Sequence, residues 1–261
     1  MQPTIITAPT ETARKAHKQL QAALESTTLH LDRPVVFAVG GDGTMLRAIR
    51  ESWQDDPIFV GIAAGHLGFL QAFEPEQIPE VLTALNTLKP QTISAPLIAA
   101  WDQTGQPFGY GFNDISLERS GARASRFHLD IDGSTGSFIG DGVIFATAFG
   151  STAYSLAAGG PVIDSRLRDV FVVTPNNPHV STQYSSLQRP HVLQRGRQVK
   201  LHLTTEDAVE RPTQLVIDGN TVEKQLTGTV TIALSNKTIS FLQLEADSFH
   251  ARLDAKRLGR S

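Results

Sequence analysis

The stretch that decides the fold runs from Pro34 to Thr44. Its first part, Pro34-Val35-Val36-Phe37-Ala38-Val39, is an unbroken apolar run, which is typical of a strand covered on both faces. Gly40-Gly41-Asp42-Gly43-Thr44 follows at once, and apolar residues then recur at helical spacing from Met45 to Trp53. The segment therefore predicts a buried strand, a tight glycine turn and a helix.

The same alternation continues on either side of this stretch. Apolar residues recur at helical spacing over 10–25 and 77–88, and Pro57 to Ile62 is a second apolar run of strand length. A short apolar run at Thr4-Ile5-Ile6 precedes the first helix. This β-α-β-α-β order predicts a parallel sheet with helices on its faces.

The pattern changes near Pro90, where helical periodicity gives way to short strand-like runs and turns. We expect an α/β N-terminal domain with a parallel sheet over 1–91, a mostly β C-terminal domain over 92–246, and a closing helix over 247–261. Thr174 to Pro190 is predicted to be a long loop. The expected strands include Phe127–Asp132, Gln198–Leu203, Leu215–Ile217, Val230–Leu234 and Thr238–Leu244, with a hairpin turn at Asp218-Gly219-Asn220.

Composition excludes several classes of protein. The 261 residues carry a net charge of -3, whereas electrostatic binding of nucleic acid usually needs a basic surplus, so no nucleic-acid partner is expected. The absence of cysteine excludes disulfides, a thiolate nucleophile and cysteine-ligated metals. No apolar run approaches the ~18 residues of a membrane span, and Met1–Ala8 lacks the basic start of a signal peptide. We expect a soluble, cytoplasmic protein with no membrane partner.

The glycine turn is the first candidate site. Glycines at Gly40, Gly41 and Gly43 let the backbone approach a ligand closely, and the start of the following helix attracts anions such as phosphate. The Asp42 carboxylate could accept a proton from a hydroxyl or hold Mg²⁺. The alternative is an ordinary tight turn in which Asp42 caps the helix. The Gly-Lys-Ser/Thr element of a Walker A loop is missing.

A second candidate site begins at Asp141, where an apolar run leads into Gly150-Ser151-Thr152-Ala153-Tyr154. The hydroxyls of Ser151 and Thr152 could cap a helix start, or could equally bind a phosphate or a ribose hydroxyl. Asn113-Asp114 could recognise a base and two vicinal ribose hydroxyls, with a solvated turn as the alternative. Phe69 could close over a ring or belong to the core. The histidines show no metal-ligand spacing, and no protein metal site is predicted.

Taken together, these segments resemble the NAD kinase family, which phosphorylates the adenosine-ribose 2′-hydroxyl of NAD. Phosphofructokinases and lipid kinases carry similar glycine loops. The resemblance to the NAD kinase family therefore depends on the whole set of segments and on their order along the chain. The resemblance implies NAD in the cleft between two domains, ATP or polyphosphate with Mg²⁺ as the phosphoryl donor, and a homodimer or homotetramer. The set is Gly40–Leu46, Gly61–Leu70, Asn113-Asp114, Asp141–Pro161, Thr174-Pro175 with Pro178-His179, and Asp218-Gly219-Asn220.

The resemblance also implies individual roles. Asp42 matches the proton acceptor and Gly43 its neighbour at the dinucleotide, within a phosphate loop of Gly40, Gly41, Gly43 and Thr44. The implied NAD-binding residues are Phe69 beside the adenine, Asn113 and Asp114 at the adenosine, Asp141 near the nicotinamide half, Thr152, Ala153, Tyr154 and Ala157 at the adenine and ribose, and Asn220, where the family usually has Gln.

Three departures from the family pattern motivate an alternative function. Ala63 stands where the family usually has Asn, and Ala148 and Phe149 stand where the family's Ser-Thr-Pro-Thr-Gly run has Pro and Thr. A dinucleotide-binding protein with weak or no kinase activity is therefore the second hypothesis. A lipid kinase of the related group is the third, which Thr152-Ala153-Tyr154 disfavours.

Overall fold

The computed structural model describes residues 2–65, 70–87, 89–179, 187–204, 210–224 and 226–244. The chain divides into two compact units, residues 1–95 with 239–261 and residues 96–238. The two boundaries fall inside strands, which are β4 (Thr92–Trp101) and β15 (Gly228–Leu242). The closing helix expected over 247–261 lies outside the described residues.

The first unit contains a parallel sheet. Its strands are β1 (Thr4–Thr7), β2 (Val35–Gly40) and β3 (Ile58–Ala63), which lie side by side in that order. The last part of β15 extends the sheet, with Ser240 in parallel register with Ile58. Every residue of β2 and β3 is buried, as the unbroken apolar runs predict, because helices cover both faces of such a sheet.

Three helices belong to this unit: α1 (Glu11–Ser26), α2 (Asp42–Ser52) and α3 (Ile78–Leu85). The Thr10 hydroxyl caps α1 by accepting a hydrogen bond from the backbone N–H of Ala13. The predicted third helix is shorter than its periodicity indicates, because it ends at Asn86, whose amide group binds the backbone of Thr28 and His30. Short 3-10 helices span Trp53–Asp55 and Pro75–Gln77. No helix in the described part of the chain is both long and apolar enough to cross a membrane.

The second unit is mostly antiparallel, as predicted. One sheet has the order β11-β10-β9-β6-β13-β14, and a second set of strands pairs in the order β15-β12-β7-β8, with β4 beside β15 and β5. Apolar side chains from both sets form one core, with Phe145 and Phe171 from the first and Phe127 and Phe138 from the second. The strands are β5 (Pro107–Gly111), β6 (Asp114–Arg119), β7 (Ser125–Ile131), β8 (Ser134–Gly140), β9 (Gly142–Thr147), β10 (Val170–Asn176), β11 (His191–Gln194), β12 (Val199–Leu203), β13 (Thr213–Ile217) and β14 (Asn220–Thr221), with one short helix, α4 (Tyr154–Ala157), after a 3-10 turn at Gly150–Thr152.

Two sequence predictions for this part of the chain need correction. The expected strands at Val230–Leu234 and Thr238–Leu244 are one strand, β15, since the polar residues between them stay extended. The loop expected from Thr174 begins later, because 174–176 complete β10. Pro175 fits there because β11 pairs only with the first four residues of β10, so no ladder hydrogen bond is needed from the proline nitrogen on that side. Residues 180–186 of that segment lie outside the described chain.

Phe127→Ala should lower the free energy of unfolding of the second unit by about 3–5 kcal/mol, the cost of truncating a buried aromatic ring. Phe127 is fully buried, and its ring stacks on Phe138 with 5.1 Å between centroids. Leu167→Ala is the control, because Leu167 is 57% exposed and surface changes stay within about 0.5 kcal/mol. Urea unfolding followed by circular dichroism measures both, and equal losses would contradict the core position of Phe127.

Candidate functional site

The glycine loop lies where β2 ends and α2 begins. Gly40 is the last residue of β2, Gly41 is the N-cap of α2, and Asp42 is its first residue. The alternative in which Asp42 caps the helix is therefore wrong. Its Oδ1 instead accepts a hydrogen bond of 2.9 Å from the backbone N–H of Leu70, so a second segment of the same unit holds the carboxylate in place.

The glycines of the loop serve different purposes. A Cβ at Gly40 would overlap the hydroxyl of Thr44 and lie 2.9 Å from the Cβ of Ala8, so packing within the unit requires glycine there. A Cβ at Gly41 or Gly43 would meet no described atom within 4 Å. The described residues thus leave one side of the loop open at the N-terminus of α2, the end of a helix that favours an anion.

Residues 70–73 contact both β3 and the glycine loop. The Gln71 side chain is fully buried, and its Nε2 donates a 2.8 Å hydrogen bond to the carbonyl of Gly41. Phe73 bonds to the backbone of Gly61 and Ala63, and a Cβ at Gly61 would lie 2.6 Å from the carbonyl oxygen of Leu70. Gln71 is a residue that the sequence reasoning missed, because nothing in its local pattern indicates a contact with a loop 30 positions earlier.

In the second unit, the Asn113-Asp114 segment and the Gly-Ser-Thr-Ala-Tyr run lie together. The carbonyl of Asn113 accepts a 2.9 Å hydrogen bond from the backbone N–H of Thr147, and the hydroxyl of Thr147 donates to the carbonyl of Phe112 at 2.7 Å. The same hydroxyl accepts from the N–H of Gly150 at 3.1 Å. A Cβ at Gly150 would overlap the backbone of Asn113. Two motifs that are far apart in sequence are thus joined through backbone contacts.

The hydroxyls of the run are used within the protein. Ser151 is fully buried; its Oγ donates to the carbonyl of Ala148 at 2.7 Å and accepts from the N–H of Ile163 at 2.9 Å. The Thr152 hydroxyl bonds to the carbonyl of Phe149 at 3.3 Å. Neither caps α4, whose N-cap is Ala153 and has no side-chain bond. Ser151 is therefore structural, and the capping alternative is wrong for both.

Tyr154 and Ala157 are the first and last residues of α4. The ring of Tyr154 is partly exposed, and its hydroxyl accepts a 2.9 Å hydrogen bond from the side-chain amide of Asn176. Burial of the hydroxyl and the nearby Glu118 carboxylate raise the pKa of Tyr154. Tyr154 therefore stays neutral and offers an aromatic face beside a fixed hydroxyl.

Asp114 is the first residue of β6 and is 6% exposed. Burial, and then the negative charges of Asp218 and Glu118, raise its pKa to about 7. In the described part of the chain, no group donates a hydrogen bond to its side chain. Asp114 therefore changes charge near neutral pH and keeps its acceptor oxygens for a ligand.

The pKa of Asp141 is shifted in the opposite direction to that of Asp114. Its Oδ1 lies 2.6 Å from Nε of Arg119, and its Oδ2 accepts a 2.9 Å hydrogen bond from the amide of Asn177. The Asn177 hydrogen bond, together with Arg119, lowers the pKa of Asp141. Asp141 therefore stays ionised at neutral pH.

Asp218 is a second residue that the sequence reasoning missed as part of a site. The predicted hairpin turn is present, with positive φ at both Asp218 and Gly219, which is typical of a type I′ turn. The Asp218 carboxylate accepts hydrogen bonds from three consecutive backbone N–H groups, those of Phe112, Asn113 and Asp114. The amide of Asn220 bonds to the carbonyl of Asp218 at 2.9 Å, so this side chain supports its own turn.

The predicted residues thus form one group in each unit. The first unit brings together Gly40, Gly41, Asp42, Gly43 and Thr44, and the second brings Asn113 and Asp114 beside the run that contains Thr152, Ala153 and Tyr154. Phe69 lies outside the described residues. Within the described ranges, no cluster of three or more metal-ligating side chains occurs.

Family models match nearly the whole chain. Residues 7–89 match the ATP-NAD kinase N-terminal domain, and residues 113–244 match the ATP-NAD kinase C-terminal domain. The NAD kinase of Methanospirillum hungatei is 32% identical over 226 residues, which cover 85% of this chain and 78% of that protein. The NAD kinase of Methanoculleus marisnigri is 30% identical over 215 residues, which cover 81% of this chain and 75% of that protein.

Two solved structures share the fold. The NAD kinase from Archaeoglobus fulgidus in complex with ATP superimposes with a TM-score of 0.77 at 23% identity, over 98% of this chain and 99% of that one. Yeast NADH kinase complexed with NADH superimposes with a TM-score of 0.78 at 20% identity, over 99% of this chain and 88% of that one. At these identities the likeness concerns the fold alone.

Gly150→Ala should destabilise the second unit by about 1–3 kcal/mol, the cost of overpacking, because the new methyl group overlaps the backbone of Asn113. It should also weaken nucleotide binding, since the Asn113 segment must move. Gly121→Ala is the control, because its Cβ would approach no described atom closer than 3.9 Å. Thermal unfolding and calorimetric titration with NAD measure the two effects; equal behaviour of the two variants would refute the contact.

Proposed function

The chain belongs to the NAD kinase family, and on that premise we propose that it transfers a phosphoryl group from ATP or polyphosphate to the adenosine-ribose 2′-hydroxyl of NAD, forming NADP. One observation carries the proposal: the Asp42 carboxylate is fixed at the start of α2, inside a glycine loop where a Cβ at Gly41 or Gly43 would meet no described atom within 4 Å. A phosphoryl-transfer site needs an anion-binding loop and a group to receive the hydroxyl proton, and this loop offers both.

The phosphate loop would act through its backbone. The first N–H groups of α2 have no partner within the helix, and the helix dipole adds positive potential at the same end. The Gln71 amide holds the carbonyl of Gly41, so the loop keeps its shape without a ligand. Phosphoryl transfer depends mainly on positioning and charge neutralisation, and a preformed loop serves both.

Asp42 would accept or orient the proton of the ribose hydroxyl as the phosphorus–oxygen bond forms. Its position is set by the 2.9 Å hydrogen bond from Leu70 and by the start of α2. A general base must lie within hydrogen-bond reach of the proton that it removes, and the hydroxyl becomes more acidic as its bond to phosphorus forms. The proton leaves the 2′-hydroxyl for Asp42, and the donor keeps the electron pair of the bond that breaks.

The donor set of the loop fits Mg²⁺ that enters with the donor phosphates. Mg²⁺ usually takes one or two carboxylates, phosphate oxygens and water, and Asp42 supplies a carboxylate in the loop. We assign this metal to the nucleotide, whose phosphate oxygens would hold it. When bound, Mg²⁺ neutralises charge on the transferred phosphoryl group.

The second unit would bind the dinucleotide. We assign the adenosine part to Asn113 and Asp114, with Thr152, Ala153, Tyr154 and Ala157 at the adenine and ribose. Asp141, which Arg119 keeps ionised, would lie near the nicotinamide half. The neutral ring of Tyr154 suits stacking on a base, and the carboxylate of Asp114 suits two vicinal hydroxyls. Phe69 and Asn220 are further members of this proposed set.

The departures that suggested an inactive homologue do not obstruct the site. Phe149 is 5% exposed and packs on Phe112 with 5.4 Å between ring centroids, and Ala148 is buried. Ala63 closes β3 and bonds through its N–H to Phe73. The bulky ring is thus packed in the interior of the second unit, which supports an active kinase.

Asp42→Asn should keep NAD binding and lower turnover by about 10²–10⁴-fold, the usual contribution of a general base. The amide preserves the shape and can still accept from Leu70, but it cannot take the proton. Asp55→Asn, in the exposed 3-10 helix of the same unit, is the control. A coupled assay of NADP with ATP or polyphosphate and Mg²⁺ measures turnover, and calorimetry measures binding. Wild-type turnover in Asp42→Asn would remove Asp42 from the mechanism, and NAD binding without any NADP from the unmodified chain would indicate the inactive homologue.

The KM for NAD should depend on the charge of Asp114. Because its pKa is raised to about 7, the ionised form that accepts two ribose hydroxyls is lost as the pH falls through that value. From pH 8 to pH 6 the KM should rise about tenfold, in inverse proportion to the ionised fraction of Asp114. Asp114→Asn should have a higher KM with no such dependence. A profile of the same shape in both variants would assign the titration to another group.

The family resemblance also supports a cytoplasmic homodimer or homotetramer. Multi-angle light scattering of the purified chain measures the assembly directly.

A further inference from the structure

The turn between β13 and β14 contacts the proposed adenosine site through Asp218, by both its side chain and its backbone. Oδ2 of Asp218 accepts from the N–H of Phe112 at 2.7 Å, and Oδ1 accepts from those of Asn113 at 2.8 Å and Asp114 at 3.1 Å. The backbone N–H of Asp218 in turn donates to the carbonyl of Asp114 at 3.0 Å. Four hydrogen bonds therefore join one turn residue to three consecutive residues of the site segment.

These bonds occur where the strand ladder stops. The pairing of β13 with β6 ends at Ile217 opposite Ile115, so the N–H groups before Ile115 have no further strand residue to bond on that side. Buried backbone donors need partners, and a carboxylate is a stronger acceptor than a neutral carbonyl. The Asp218 carboxylate thus replaces the missing strand at the point where the chain reaches the site.

We propose that Asp218 is a positioning residue for dinucleotide binding, which fixes the backbone of residues 112–114 so that Asn113 and Asp114 present their side chains to the adenosine. This rests on the proposed function. The opposite side of the same segment is held by the N–H of Thr147 and the close approach of Gly150 to Asn113. Asp218 supplies the remaining restraint, and its charge also acts on Asp114.

The groups facing Asp114 give this role an electrostatic signature. They are Asp218 from the turn, Glu118 from its own strand, and the Tyr154 hydroxyl from α4. Burial raises the pKa of Asp114 most, and the charge of Asp218 comes second. Removing that charge lowers the pKa of Asp114, so the rise of KM at low pH must begin at a lower pH. A purely structural defect would not move this midpoint.

Three variants separate the effects. Asp218→Asn keeps the size but offers one acceptor oxygen and an amide group that faces backbone donors. Asp218→Glu keeps the charge but displaces it by one methylene. Asp102→Asn is the matched control, because Oδ1 of Asp102 likewise accepts from two backbone N–H groups, those of Thr104 and Gln106, in a turn of the same unit outside the proposed site.

We expect Asp218→Asn to raise the KM for NAD about tenfold, which corresponds to ~1.4 kcal/mol, with kcat within about twofold because Asp42 is untouched. The midpoint of its KM profile should move below that of the wild type. Asp218→Glu should show a smaller rise in KM and a midpoint near the wild-type value. Asp102→Asn should lose stability and leave both the KM and its pH profile unchanged.

Several results would overturn the inference. One is a KM for Asp218→Asn equal to that of the wild type, or a change matched by Asp102→Asn. Another is a tenfold rise in the KM of Asp218→Asn while the midpoint of its KM profile against pH stays at the wild-type value. If Asp218→Asn does not fold, Asp218→Glu decides, since an unchanged KM in a folded Glu variant shows that the carboxylate position is unimportant. Absence of NADP formation by the wild-type chain would instead contradict the proposed function and leave the variants to be judged by calorimetric NAD affinity at each pH.

Discussion

Backbone groups that continue past the end of a β ladder must find other partners, and both candidate sites form where the chain meets this constraint. After β2, the carbonyl of Gly40 accepts from the N–H of Ala64, and the carbonyl of Gly41 accepts from the Gln71 amide. Before β6, the N–H groups of 112–114 bond to Asp218. A buried polar group without a partner costs about 1–3 kcal/mol, so these contacts hold the two segments in one conformation. The hydrogen bonds that these backbone groups require thus also set the geometry of the two candidate sites.

Two supporting side chains hydrogen-bond to the backbone of the candidate site segments without any ligand. Gln71 and Asp218 come from segments that are remote in sequence, and each bonds to the main chain of a site segment instead of to its side chains. Side chains of the site, such as Asp42 and Asp114, therefore start from a fixed backbone. Preorganisation of this kind reduces the entropy lost on binding, and it matters most for phosphoryl transfer, where positioning supplies most of the catalysis.

The sequence predicted the elements well where one local pattern sufficed. The apolar runs at 35–39 and 58–62 are buried parallel strands, the Asp218-Gly219 pair is a hairpin turn, and the change of pattern near Pro90 precedes a mostly antiparallel unit. Periodicity could not show that β15 runs on through the exposed residues near Asn236, since solvent-facing polar residues look the same in a strand and a turn. Nor could it show the contacts of Gln71 or Asp218, because tertiary hydrogen bonds to main-chain atoms leave no pattern in side-chain spacing. The roles of individual site residues stay predictions.

The carboxylates of the second unit show how the fold assigns different tasks to one functional group. Asp141 is partly exposed and paired with Arg119, so it is held ionised. Asp114 is buried beside Asp218 and Glu118, so its charge changes near neutral pH. Asp218 accepts hydrogen bonds from three N–H groups, so its carboxylate lies against the backbone of residues 112–114. Environments that push the pKa values of neighbouring acids apart commonly mark functional sites. Asp141 is thus a permanent anion, whereas the charge of Asp114 depends on pH because burial and two neighbouring acids oppose its ionisation. The raised pKa of Asp114 therefore follows from its burial beside Asp218 and Glu118.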